Sequence, residues 1–66
     1  MNRPDMDGHA RQRFQEIVTK LDLGHTTVKE AKAYAKTLWG VVLDVRSKED
    51  FIRKLHRYLV AAHPAP

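Results

Sequence analysis

What most constrains this chain is the spacing of its apolar residues, which recur every three or four positions in three separate segments. That spacing follows the 3.6-residue turn of an α-helix, so the residues of each segment share one face. In the first segment the face is Met6, Ala10, Phe14, Ile17 and Leu21. In the second, rotation by about 100° per residue gathers Tyr34, Leu38, Ala31, Ala35, Val28 and Trp39 on one apolar arc. In the third, Phe51, Ile52, Leu55, Tyr58, Leu59 and Ala62 form a dense stripe. Three helices with one apolar face each can share a single core. The fold class expected is therefore all-α, a small three-helix domain spanning 1–66. Its helices should run over about 6–22, 27–39 and 48–62, with an extended loop between the second and third and a frayed tail at 63–66.

The segment ends carry their own signals. Asp5 and Asp7 stand where carboxylates complement the free N–H groups of the first helix, and Gly24 supplies its stop. Thr27 with Glu30 fits a capping box, in which each side chain accepts from the other residue's backbone N–H. Gly40 ends the second helix at a position that favours left-handed backbone. Val41 to Arg46 is rich in β-branched residues, which suit extended backbone, and no partner strand is identifiable for it. Ser47 is the next N-cap, with Glu49 and Asp50 in the first turn, and Pro64 closes the third helix.

A chain of 66 residues without cysteine must hold itself together by this core alone, with a thin margin of stability. The absence of cysteine and of an apolar run long enough to cross a bilayer points to a reduced, cytoplasmic setting with no membrane partner. Catalysis needs a nucleophile or an acid–base pair held in a cleft, and three short helices leave little room for one. There is no Gly-rich phosphate loop, and Asp50 and His56 fall on different helix faces. A non-enzymatic protein without a cofactor is expected. The histidines at 9, 25, 56 and 63 are too scattered for a metal site and read as surface residues beside apolar faces.

Charge is more informative. The net charge of +4 lies wholly in the later part of the chain. Up to Thr26, Arg3, Arg11, Arg13 and Lys20 are balanced by Asp5, Asp7, Glu16 and Asp22, whereas from Thr27 onward eight cations face only Glu30, Asp44, Glu49 and Asp50. A basic surface of this kind attracts polyanions, although a small charge also simply keeps a protein soluble. On the second helix Lys29, Lys32 and Lys36 fall at successive angles beside Trp39 and Val28, a lysine stripe able to track a phosphate backbone. Arg46, Ser47 and Lys48 bring two cations to the start of the third helix, where a bound phosphate would offset their unfavourable position at the positive end of the helix dipole. Glu49 and Asp50 compete for that end. They also stand four residues before Arg53 and Lys54, as in ordinary helix ion pairs. Tyr34 and Trp39, at opposite margins of the second helix, either cap the core or anchor a protein contact together with Val41 and Val42.

The stretch from Thr27 to Leu55 resembles the helix–extended loop–helix modules typified by the SAP domain. Thr27-Val28-Lys29-Glu30-Ala31 is similar to their capped first helix, Leu38-Trp39-Gly40-Val41 to their turn, and Lys48-Glu49-Asp50-Phe51-Ile52-Arg53-Lys54-Leu55 to their last helix. The chain departs in having Arg46-Ser47 where a glycine usually precedes the lysine, in a loop one residue longer, and in the small Ala31. The resemblance implies DNA binding through Arg46, Ser47 and Lys48, with support from the helix-two lysines. The related LEM modules keep the scaffold and bind protein. Two readings follow: a module binding duplex DNA through phosphates with little sequence preference, or a protein-interaction domain docking on a larger partner or on a second copy as a homodimer.

Overall fold

The computed structural model describes residues 5–65 and contains three helices: α1 (Gly8–Asp22), α2 (Val28–Trp39) and α3 (Lys48–Ala62). Among the described residues no strand forms, and the fold is a small all-α domain. Helices α1 and α3 lie side by side and antiparallel. Met6 bridges Pro64 at one end, Lys48 reaches Asp22 at the other, and Phe14 meets His56 between them. Helix α2 packs across this pair.

Each helix starts on a side-chain cap. The carboxylate of Asp7 accepts from the N–H of Ala10, Thr27 Oγ1 from Glu30 and Ser47 Oγ from Asp50, relieving N–H groups that a helix start leaves unpaired. Asp7, rather than a residue nearer Met6, therefore begins α1, and Met6 sits in the core just outside the helix. The capping box at Thr27 is only half made, because the carboxylate of Glu30 accepts from the hydroxyl of Thr26 instead. Helix α1 closes with the N–H of His25 donating to the carbonyl of Lys20 and that of Gly24 to Leu21, a Schellman arrangement that needs the positive φ of 74° at Gly24. Gly40, at φ 69°, ends α2 in the same left-handed region.

The core consists of Met6, Ala10, Phe14, Ile17 and Leu21 from the first segment, Ala31 and Ala35 from α2, Val41, and Phe51, Leu55 and Leu59 from α3. The apolar face expected for the first segment is thus buried residue for residue. The α2 arc is not. Only its two alanines are buried, while Val28 and Trp39 are half-buried and Tyr34 and Leu38 stand 38% and 37% exposed. Two partner helices cover only the middle of that arc, so its margins lie outside. Ala62, expected on the apolar stripe of α3, is also exposed.

The tail expected to fray is instead paired through Ala65. The N–H of Asp7 donates to the carbonyl of His63 at 2.7 Å, and that of Ala65 to Asp5 at 2.8 Å. Antiparallel packing of α1 and α3 brings these two segments together, and each supplies backbone partners that the other lacks. Pro66 lies outside the described residues.

Candidate nucleic-acid interface

Residues 40–47, between α2 and α3, carry neither helix nor strand. Along this stretch Val41 is buried, Leu43 and Val45 are half-buried, and Val42 and Asp44 are exposed. The ammonium group of Lys54 donates to the carbonyl of Asp44 at 2.6 Å, which ties the loop to α3. Asp50 makes the second tie. Its carboxylate accepts from the N–H of Arg46 at 3.3 Å and also binds Arg53 at 2.7 Å and Lys54 at 3.3 Å. The Arg53 guanidinium, whose effect exceeds the opposing one of desolvation, holds the Asp50 carboxyl below the ordinary carboxylate range, with lesser help from the Arg46 N–H and Lys54.

These contacts change the picture drawn from Arg46, Ser47 and Lys48. Ser47 has its hydroxyl committed to capping α3. Lys48 pairs with Asp22 at 3.2 Å, across to the end of α1. Arg46 lines a shallow hollow that it shares with Asp44 and Asp50 as well as with Arg53 and Lys54. A phosphate approaching the start of α3 would therefore meet Asp44 and Asp50 beside Arg46, the cation of this group that has no carboxylate partner among the described residues. Arg53, expected to pair with Glu49, turns to Asp50, which already faces the loop.

The lysine edge of α2 differs. Lys29 and Lys36 are exposed and Lys32 is half-buried. Among the described residues, no carboxylate oxygen lies within 4.0 Å of any of the three. The one acid of this helix, Glu30, lies toward the Tyr34 margin and is engaged by Thr26. The side chain of Thr37 turns back onto its own helix, donating to the carbonyl of Ala33 at 3.1 Å. The edge is thus a row of three like charges held on one rigid element. Lys20, Arg46 and Arg57 also lack a carboxylate partner among the described residues, but they lie apart on α1, the loop and α3.

The alternative contact residues separate in the same way. Val41, 9% exposed, belongs to the core and is not available to a partner. Trp39 packs against the core, and its carbonyl accepts from the hydroxyl of Tyr58 at 3.3 Å. Tyr34 and Val42, the latter 75% exposed, remain on the surface with Leu38. His56 meets Phe14 edge-on, with ring centroids 5.5 Å apart, in line with a histidine beside an apolar face. No group of three potential metal ligands occurs among the described residues, and no helix there is long and apolar enough to cross a membrane.

Comparison with known proteins finds no matching family model, no matching curated protein and no matching solved structure.

Proposed function

We propose that this protein is a DNA-binding module that holds the phosphate backbone with little sequence preference, and that the lysine edge of α2 is its contact surface. The observation that carries this reading is the row formed by Lys29, Lys32 and Lys36, which has no carboxylate partner among the described residues. Cations that are not neutralised within the protein release condensed counterions when they meet phosphates, and that release drives binding. Side chains that commonly read base edges, a cluster of Asn, Gln and Arg on one exposed helix face, do not accompany the lysines, so contacts would fall on the backbone. The test is fluorescence anisotropy of labelled DNA with the intact protein and with a variant carrying Lys29→Glu, Lys32→Glu and Lys36→Glu. Binding that weakens steeply with salt and disappears in the variant supports the proposal; binding unchanged in the variant removes it.

A second reading rests on Tyr34, Leu38 and Val42, large apolar side chains left on the surface of a small domain. It is a protein contact, with a larger partner or with a second copy, and it predicts association that tolerates salt and weakens in Tyr34→Ala and Val42→Ser.

A further inference from the structure

Resting on the DNA-binding reading, we infer that the site takes a single phosphodiester strand, DNA or RNA, and does not select a duplex. A module that selects a duplex by spanning a groove needs two separated lines of cations, one for each strand. The α2 edge supplies one line. The cations best placed to form another, at the start of α3, are paired at the surface: Lys48 with Asp22, and Arg53 and Lys54 with Asp50, with Lys54 also donating to the carbonyl of Asp44. Arg46 shares its hollow with both Asp44 and Asp50. Arg57, without a carboxylate partner among the described residues, lies one turn beyond Arg53 on α3, and one such charge does not make a second line.

The length of the row sets the footprint. Lys29 to Lys36 spans about 10.5 Å along the helix at 1.5 Å per residue. Phosphates of one strand advance about 3.4 Å each along the duplex axis, so about four lie along the row, and its three ammonium groups can neutralise about three of them. Three neutralised phosphates give a slope of log K against log salt of about −2.1 for a single strand and about −2.7 for a duplex. The row offers ammonium groups, whose charge acts on phosphates that DNA and RNA, single strand and duplex, all carry.

The test measures binding of the full chain to labelled oligothymidylate, oligouridylate and a mixed-sequence duplex, each about 20 nucleotides per strand, across a series of salt concentrations. The expected result is affinities per strand within about threefold of one another, with slopes between about −2 and −3. Duplex affinity more than about tenfold above both single strands, with a slope steeper than about −5, would overturn the inference and leave DNA binding intact. Failure of all three to bind at low salt would remove the DNA-binding reading itself and this inference with it. In the variant carrying Lys29→Gln, Lys32→Gln and Lys36→Gln, the salt dependence for all three should collapse toward zero. A variant that keeps the full slope places the phosphates elsewhere and overturns the inference.

Discussion

Helices α1 and α3 bury their large side chains against each other, whereas α2 buries only Ala31 and Ala35. The contrast extends to charge. Arg11 and Arg13 pair with Asp5 and Glu16, while Lys48, Arg53 and Lys54 pair with Asp22 and Asp50; no lysine of α2 pairs with a described carboxylate. An alanine face allows close approach to the other helices but removes little apolar surface from water. The α1–α3 pair thus supplies the stability, and α2 keeps its outer surface uncommitted. Scaffold and proposed binding surface lie on different elements of a very small domain.

The sharpest way to break this division is to truncate each side of it. Leu55 is fully buried, and Leu55→Ala should cost about 2–5 kcal/mol. A domain this small has a total stability of roughly 3–10 kcal/mol, so denaturant unfolding should show the variant largely or wholly unfolded. Leu38→Ala, on the exposed margin of α2, should move the same midpoint little, by less than about 1 kcal/mol. Comparable losses from the two would erase the distinction. Ser47→Ala comes next. It removes the cap of α3 at a cost of about 1 kcal/mol in thermal or chemical unfolding, yet should leave DNA affinity within about twofold, because the hydroxyl serves the helix and not a ligand.

The smallest effect concerns Asp50. Its folded carboxyl is held below the unfolded value, so its contribution to stability is present above the unfolded pKa of about 3.9 and is lost as pH falls through the folded value. Asp50→Asn should therefore be less stable than the parent near neutral pH, with the gap closing on acidification below about pH 4. Unfolding midpoints measured across that range would show it. A gap that persists unchanged into acid would mean that the carboxylate's ion pairs and its bond to Arg46 contribute nothing.

Much of the scaffold was legible from residue spacing. All five apolar residues of the first segment are buried, and Thr27, Ser47 and Gly40 occupy the cap positions that their side chains or conformational freedom predict. These features are local, and helical periodicity and cap chemistry determine them. What escaped depends on partners distant in sequence. Lys48 meets Asp22 only because α1 and α3 run antiparallel, and the same packing pairs the tail with Asp5 and Asp7. Tyr34 and Leu38 belong to the apolar arc, but periodicity does not report how many helices will cover it. The role of Asp50 was partly visible, since it precedes Lys54 by four residues; its bond back to the Arg46 N–H required the loop to turn toward α3. At Arg46, Ser47 and Lys48, spacing did not report that Lys48 pairs with Asp22 and that the Ser47 hydroxyl caps α3, while Arg46, like the row on α2, has no carboxylate partner among the described residues.

The most direct test of the central claim is an NMR titration of the full chain with DNA at low salt, following the backbone amides. Progressive shifts concentrated on α2 are expected, with Lys29, Lys32 and Lys36 at their centre, and little change along the middle of α1. Shifts confined to the loop and the start of α3, or none at all, would contradict it.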